Sequence, residues 1–289
     1  MMLDTLRGLG FASTIPAMPI TYISTEEDLK AKDDNARVRR TIAAAERLLP
    51  GAEMSSWLRD WCTRDRVLGY VRECDGNTSE AGVLLAKALE WRQLHADVLK
   101  GIRVPNWTSD MRVLTVGSRG HPVIYACMGH VKSSARAGDE IDHLVAVLEA
   151  AQRAMPPGVT KLDAVFDAHG CRFANFLDPR PMLAVASALR SAYRGILRIG
   201  VVVDAPWALS TFLWNAFYPV VPTATRDKIK FASKEECLEF LVEVVGAGAA
   251  EVLDNVMTRN RSEEGPGPPK LPSEVGEWQA QPTEVASAQ

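Results

Sequence analysis

The sequence lacks the signatures of several common enzyme classes. It contains no G-x-S-x-G nucleophile elbow, no phosphate-binding P-loop and no G-x-G-x-x-G turn. Its five cysteines include no C-x-x-C pair, and the odd number is typical of small apolar residues in a reducing compartment rather than of a disulfide framework. The N-terminus lacks the long apolar core of a secretory signal, and residue 2 is not the glycine that myristoylation requires. These absences favour a non-catalytic cytoplasmic protein.

The chain also lacks a general excess of positive charge. Its formal net charge is -3, and the segment from Arg261 to the end holds two basic and five acidic residues. Residues 1–260 balance at 31 basic and 31 acidic. This balance argues against a protein that binds nucleic acid through an overall basic field. Residues 259–289 are rich in Glu, Pro, Gly and Ser, and this composition predicts a disordered acidic tail.

One long segment contains no charge at all. No charged residue lies between Asp204 and Arg226, and four of the residues from Trp207 to Phe217 are Trp or Phe. A surface helix normally carries charge on one face, so this segment is predicted to be buried, to face lipid or to line an apolar cavity. Three prolines, at positions 206, 219 and 222, argue against a membrane-spanning helix. A short aromatic helix that touches lipid and ends in a basic cluster fits better.

The hydrophobic periodicity predicts an α/β protein in which three helices precede a sheet with helical crossovers. The predicted helices cover 25–49, 55–73, a segment starting at Asn77, 139–154, 179–193, a segment from a Ser233–Glu236 capping box to Val245, and 247–257. The predicted strands cover 111–116, 123–128, 162–168, 197–203 and 229–231, of which 197–203 reads as a buried strand.

Two polar clusters suggest chemistry, and each has an ordinary alternative. Asp139, Asp142 and His143 share one helix face, which permits metal binding, yet acidic residues are common at helix N-termini because they complement the dipole. His169 beside Asp167 lies at a strand end, where active sites of open α/β sheets occur. It fits a pocket rim or a satisfied core histidine equally. We predict neither a catalytic residue nor a metal site.

Three stretches in a fixed order carry a family resemblance. The first is D-R-V-L-G-Y-V-R at 65–72, followed by the L-E-W-R of 89–92; the second is G-H-P-V at 120–123; the third begins with D-A-P-W at 204–207 and ends with T-R-D-K-I at 225–229. Together they resemble the CRAL-TRIO lipid-binding and lipid-transfer proteins. The third stretch is similar to the family's N-A-P-x-x-F run, which forms a mobile gate helix with a basic end.

The resemblance implies a fold and a division of the chain. It implies an N-terminal helical lobe followed by a mixed β-sheet with flanking helices, in which the sheet forms one side of a deep, gated apolar pocket. The implied segments are an N-terminal extension (1–54, partly helical), the helical lobe (55–100), the α/β lipid-binding domain (101–258) and the tail (259–289). The residues expected at the gate and in the pocket are Trp207, Phe212, Leu213, Trp214, Phe217, Tyr125, Phe166 and Phe173.

The resemblance also implies a head-group site. In the phosphatidylinositol-binding branch the Thr and Lys of T-x-x-K contact the head-group phosphate, and here they match Thr225 and Lys228. The glutamate that contacts inositol in that branch is absent, because Gly195 stands at its position. Both serines of the family's D-L-K-G-x-S-x-S strand end are also replaced, in the stretch 167–174. The identity of the lipid is therefore open.

These features together predict a non-catalytic lipid-binding or lipid-transfer protein. The expected ligand is a phospholipid or another hydrophobic small molecule, with no cofactor besides the bound lipid. The expected location is the cytoplasm, with transient, peripheral association with a membrane surface. The alternative is a degenerate lipid-binding fold that serves as a protein-interaction or regulatory module, for which the lost head-group residues and the Pro-rich tail, as a possible partner-binding segment, are the motivation.

Overall fold

The computed structural model describes residues 26–50, 54–103, 105, 109–130, 137–171, 187–206 and 226–262. Within these ranges the chain forms an N-terminal helical lobe followed by an α/β unit, as the periodicity predicts. The elements are α1 (Glu26–Glu46), α2 (Ser56–Trp61), α3 (Arg64–Glu73), α4 (Thr78–Leu94), α5 (Ala96–Leu99), β1 (Met111–Val116), β2 (Pro122–Cys127), α6 (Ala137–Ala154), β3 (Leu162–Asp167), β4 (Leu197–Val203), β5 (Ile229–Ala232), α7 (Lys234–Val244) and α8 (Ala247–Asn260).

The five strands form one mixed sheet in the order β1-β2-β3-β4-β5. The hairpin pair β1 and β2 is antiparallel, and β2 through β5 are parallel to one another. The mixed α/β sheet predicted from the sequence is therefore confirmed. Because four neighbouring strands run in one direction, their starts share one edge of the sheet and their ends share the other. We call these the amino edge and the carboxyl edge.

The two faces of the sheet carry different helices. Side chains of Val123, Val165 and Val201 pack in one cluster with residues of α7 and α8. Ile124 and Ala164 point to the other face and pack with residues of α6. This alternation is the two-residue period of a strand, and it buries apolar side chains on both sides of β2 and β3.

The helical lobe is held together by a close crossing of α1 and α4. A Cβ atom at Gly82 would lie 2.5 Å from the Cβ of Ala44, so only glycine allows this approach. Around the crossing, buried residues of α1 to α4 form a separate apolar cluster that includes Leu58, Val67 and Leu85. The predicted start of α4, Asn77, is its N-cap residue, whose side chain accepts hydrogen bonds from the backbone N–H groups of Ser79 and Glu80.

One predicted helix is wrong. Residues 55–73 were expected to form a single helix, but the chain breaks at Cys62 and Thr63 into α2 and α3. Thr63 has extended backbone geometry and precedes α3 as its N-cap residue. The carbonyl of Trp61, which ends α2, instead accepts a hydrogen bond of 3.0 Å from Arg66. The break therefore leaves no lost hydrogen bond at this carbonyl.

Smaller differences concern element ends and burial. The first helix ends at Glu46, not near residue 49, and α8 continues past the predicted end at residue 257 to Asn260. The strand β4 was expected to be buried on both faces, yet Leu197, Ile199 and Val202 are only half-buried. Of the helix predicted at 179–193, the part at 187–191 is helical, and 172–186 lie outside the described residues. Among the described helices, none has the length and apolar character that a membrane crossing requires.

A buried ion pair joins the helical lobe to the sheet domain. Arg92 of α4 donates two hydrogen bonds to Glu149 of α6, at 2.8 and 3.2 Å, and the hydroxyl of Tyr193 donates another to Glu149 at 2.8 Å. The Arg92 guanidinium also lies 4.4 Å from the centroid of the Trp61 ring. Burial alone would raise the pKa of Glu149, but the hydrogen bonds and charge of Arg92 hold it below its usual value.

This lowered pKa makes a prediction for acid stability. A carboxyl whose pKa is lower in the folded protein stabilises the fold above its unfolded pKa of about 4.3, and this contribution disappears as the pH falls through the folded pKa. We therefore expect Glu149→Gln to be less stable than the wild type at pH 7. The difference in free energy of unfolding should shrink as the pH falls below the unfolded pKa of about 4.3 and then through the lower pKa of the folded protein, where the wild-type carboxyl also becomes neutral. Urea denaturation of both proteins at several pH values measures it, and a constant difference would contradict the assignment.

Candidate functional site

Basic groups gather at the amino edge of the sheet. Lys161 directly precedes β3 and Lys228 directly precedes β5, so the parallel strands bring two lysines that are distant in sequence to one edge. The ammonium group of Lys228 donates a hydrogen bond of 3.0 Å to the carbonyl of Leu197, at the start of β4. His121, in the turn before β2, contacts the carbonyl of Lys161 through Nδ1 at 2.9 Å.

The electrostatics of this edge suit an anion. Lys228 is half-buried, and burial, followed by the positive charge of Lys161, lowers its pKa. A negative group beside the Lys228 ammonium would offset both effects on its pKa. Glu73 of α3 supplies some negative charge, but it is already paired with Arg194 at 2.6 Å. Lys228, predicted from the T-x-x-K motif, thus lies in a partly desolvated, positive environment.

An apolar row crosses the α6 face of the sheet. The strand register aligns Ala126, Phe166, Val202 and Phe231 on neighbouring strands. Phe166 and Val202 are half-buried, and Phe231 is 41% exposed although it is a large apolar side chain. Two residues closer to the amino edge on each strand, a second set is aligned on the same face: Ile124, Ala164, Gly200 and Ile229. This part of the face is apolar from β2 to β5.

The predicted pocket residues divide between the two faces. Phe166 lies in the apolar row. Tyr125 is fully buried on the opposite face, among residues that pack with α7 and α8. The other predicted residues, Thr225, Trp207, Phe212, Leu213, Trp214, Phe217 and Phe173, lie outside the described residues. Assignment of these side chains to a head-group site, gate or pocket stays a prediction.

A second polar group lies at the carboxyl edge. Asp167, at the end of β3, is fully buried and accepts two hydrogen bonds from the Arg261 guanidinium, at 2.7 and 3.1 Å. It also accepts a bond of 3.1 Å from the Tyr125 hydroxyl, whose pKa burial raises far above its usual value. Asn260 contacts both that hydroxyl and Asp110. Asn260, the last residue of α8, and Arg261, which follows it, therefore complete a hydrogen-bonded network beneath this edge.

This network bears on the possible catalytic use of His169. Only the backbone N–H of His169 contacts Asp167, at 3.1 Å, and the His169 residue is exposed. The Asp167 carboxylate is occupied by Arg261 and Tyr125 instead. A histidine–aspartate pair that moves protons needs a contact through the imidazole ring. The contacts of Asp167 with Arg261 and Tyr125 are those of a structural carboxylate.

The residues of the possible metal cluster on α6 have other contacts. The Asp142 carboxylate is bonded to Arg103. His143 is fully buried, and its Nε2 atom lies 2.9 Å from the carbonyl of Met111. Burial lowers the pKa of His143 to about 4. Across the described ranges, no group of three or more His, Cys, Asp or Glu residues is arranged to hold a metal ion.

The sequence of this sheet region matches a known family. Residues 112–246 match the model of the CRAL/TRIO domain. The chain contains a CRAL-TRIO domain. The fold agrees, because the crystal structure of Sfh5 superposes with a TM-score of 0.55 over 73% of this chain and 82% of that one, at 10% sequence identity.

Two relatives contain similar sequences. The phosphatidylinositol transfer protein PDR17 of Saccharomyces cerevisiae is 27% identical over 198 residues, which cover 62% of this chain and 55% of PDR17. The CRAL-TRIO domain-containing protein C23B6.04c of Schizosaccharomyces pombe is 28% identical over 177 residues, which cover 60% of this chain and 17% of that protein. The chain thus matches about half the length of the first relative and a smaller part of the second.

Sequence reasoning missed several residues of the two edges. Three residues at the amino edge belong to no recognised sequence motif: Lys161, Arg194 and Glu73. The available signal was positional, because Lys161 precedes its strand as Lys228 precedes its own. At the carboxyl edge Arg261 was assigned to the tail, since a charged residue next to Ser262 and two glutamates reads as solvated.

Proposed function

We propose that this protein binds an amphipathic, phosphate-bearing lipid on the α6 face of its CRAL-TRIO sheet and transfers it between membranes without catalysis. The observation that carries this proposal is the arrangement on one sheet. An apolar row extends across β2 to β5, and a partly desolvated Lys228 lies at the adjoining amino edge. The match to a CRAL/TRIO domain and the relative named as a phosphatidylinositol transfer protein support it.

The physics of lipid extraction fits this arrangement. Each CH₂ group of an acyl chain that moves from water into an apolar site contributes about 0.8 kcal/mol, so an apolar surface can hold a lipid without chemistry. The phosphate of a head group needs a positive partner, and a lysine serves as a point charge toward it. An anion beside Lys228 would offset the unfavourable effects of burial and of the nearby Lys161.

The proposal assigns the uncharged segment to the entrance of the lipid site. Trp207, Phe212, Leu213, Trp214 and Phe217 would form a gate that closes over the acyl chains and opens at a membrane. Trp residues favour the interface between water and lipid, which suits such a role. Thr225, at the end of this segment, would contact the head-group phosphate together with Lys228. Cytoplasmic location and transient membrane contact follow as parts of the same proposal.

The nature of the lipid is tested by extraction. The purified protein is extracted with organic solvent, and the released molecules are identified by mass spectrometry. A single phosphate-bearing lipid class at about one molecule per protein is the expected result. If nothing is bound and nothing is taken up from mixed vesicles, the lipid proposal fails and the protein-interaction module becomes the better explanation.

A charge reversal at the amino edge provides a sharper prediction. Lys228→Glu places a carboxylate where the phosphate is proposed to lie. We expect this change to weaken the binding free energy of an anionic phospholipid by at least about 1.4 kcal/mol, and transfer of that lipid between vesicles to fall about tenfold or more. The matched control is Lys230→Glu. Lys230 lies two residues further along the chain, with its ammonium group 4.2 Å from the Phe240 ring on the other face.

The two variants change the net charge equally, so nonspecific attraction to anionic vesicles weakens equally in both. A selective loss in Lys228→Glu supports head-group contact. Equal transfer by both variants contradicts it. Loss of a protein complex with unchanged lipid uptake in Lys228→Glu would instead favour the interaction module.

A further inference from the structure

Asp204 connects three elements at the carboxyl edge. It directly follows β4, and its backbone N–H donates a hydrogen bond of 3.0 Å to the carbonyl of Ala232, at the end of β5. Its carboxylate accepts a bond of 3.2 Å from the backbone N–H of Lys234, the first residue of α7. The other carboxylate oxygen accepts a bond of 2.7 Å from Arg261, which follows α8. One side chain therefore links β4, α7 and the end of α8.

The backbone at this residue needs such support. Asp204 has a φ of +48°, in the left-handed region that non-glycine residues seldom adopt. Aspartate and asparagine tolerate this region better than other residues, because their short polar side chains bond locally. The bonds from Lys234 and Arg261 are what hold the side chain in place. The uncharged segment begins immediately beyond, at Ala205.

Arg261 is itself firmly placed. Its guanidinium makes a two-bond contact with the fully buried Asp167 and a third bond to Asp204, so one cation joins the ends of β3 and β4. A planar guanidinium has the geometry for such a shared contact, whereas a lysine does not. Arg261 lies outside residues 112–246, the part that matches the family model. Asp204 also stands where the similar N-A-P run has an uncharged asparagine.

We infer that Arg261 is a positioning residue of the lipid site, which fixes Asp204 and with it the turn where the chain leaves β4. The effect on lipid exchange rests on the proposed lipid function, whereas the anchoring of Asp204 by Arg261 does not. The helix α8 then serves as part of the functional unit, because its C-terminal end positions Arg261, the cation that fixes the carboxyl edge. Loosening this contact should change the rate of lipid exchange.

The test uses full-length Asp204→Asn, with Arg261→Met as a second variant. Asparagine keeps an oxygen for the Lys234 N–H and tolerates the same backbone conformation, but its amide nitrogen replaces the acceptor that faces Arg261. Asp254→Asn is the matched control. It removes the ion pair between Asp254 of α8 and the side chain of Lys234 of α7, at 2.6 Å, while the Lys234 backbone N–H keeps its acceptor on Asp204.

Two measurements separate anchoring from function. Hydrogen exchange reports the backbone amides of peptides that cover 200–206 and 232–237, and we expect about tenfold faster exchange in Asp204→Asn but not in Asp254→Asn. The vesicle assay measures the rate of lipid transfer. In Asp204→Asn we expect this rate to change by about threefold or more, with the same amount of lipid bound per protein. Arg261→Met should show both effects more strongly, because it also leaves Asp167 without its cation.

Each result decides a separate claim. Unchanged exchange in Asp204→Asn overturns the anchoring of the turn. Faster exchange with an unchanged transfer rate overturns the positioning role and leaves Arg261 a structural residue. If the wild type transfers no lipid at all, the proposed function fails, while hydrogen exchange still decides whether Arg261 anchors the edge. Should Arg261→Met not fold, Asp204→Asn alone gives the answer.

Discussion

Replacement of Arg92 by methionine is expected to destabilise this protein by about 3–5 kcal/mol. The side chain of Arg92 is 4% exposed and that of Glu149 is 13% exposed, so removal of the cation leaves a buried carboxylate without its charged partner and with only the Tyr193 hydrogen bond described above. The loss of stability arises mainly from the buried carboxylate that no longer has a cation beside it, because methionine fills much of the volume of the arginine stem. Urea denaturation of the purified variant at pH 7 measures the difference in free energy of unfolding.

Two further variants separate the stranded charge from other effects of the substitution. The double variant Arg92→Met with Glu149→Leu removes both charges, and we expect it to recover a large part of the lost stability, since apolar pairs often replace buried ion pairs at little cost. Arg37→Met is the surface control. It removes the ion pair between Arg37 and Asp33, whose side chains are 42% and 52% exposed, respectively. Exposed ion pairs contribute about 0–1 kcal/mol to the free energy of unfolding.

The outcome also decides how the two halves of the molecule are joined. Arg92 belongs to the helical lobe and Glu149 to the sheet domain, and a second link runs from Arg66 of α3 to Gln152 of α6 at 3.0 Å. If the ion pair couples the halves, Arg92→Met should lower the urea midpoint of the whole transition. A loss below about 1 kcal/mol would show that the pair adds little to the fold.

The sequence predicted the sheet well because the signals for its strands are local. The strands are short apolar or alternating runs bounded by turn residues, and their positions follow from this local pattern. Helix starts were equally local: the side chain of Ser233 bonds the N–H of Glu236, and Glu236 bonds back to the N–H of Ser233, as the capping box predicts. Elements defined by nearby residues were therefore accessible without a structure.

Features that depend on tertiary contacts were not accessible. The break between α2 and α3 is compensated by Arg66, whose bond to the Trp61 carbonyl could not be foreseen from helix propensity. The opposite placement of Tyr125 and Phe166 depends on the phase of each strand relative to its covering helices, which the motifs did not specify. The burial of the charged residues Arg112 and Asp167 depends on their ion-pair partners Asp110 and Arg261, which no local pattern specifies.

A charge introduced into the apolar row should have the largest effect on lipid function. We expect Phe231→Asp to reduce lipid uptake from vesicles more than tenfold, because an ionised carboxylate beside acyl chains must either be desolvated or keep water in the site. Phe231 lies on the edge strand β5, in register with Val202, and is 41% exposed. Its partial exposure leaves the fold able to accept a polar residue there.

Val242→Asp is the matched control for this prediction. Val242 belongs to α7, on the other side of the sheet, and is 50% exposed, so the substitution adds the same charge at a comparably exposed apolar site. Both variants should remain folded, as circular dichroism and urea denaturation can verify. If the α6 face holds the acyl chains, lipid uptake falls only in Phe231→Asp, since Val242 lies away from that face. If both variants take up lipid as the wild type does, the acyl chains bind elsewhere and the apolar row is not the floor of the site.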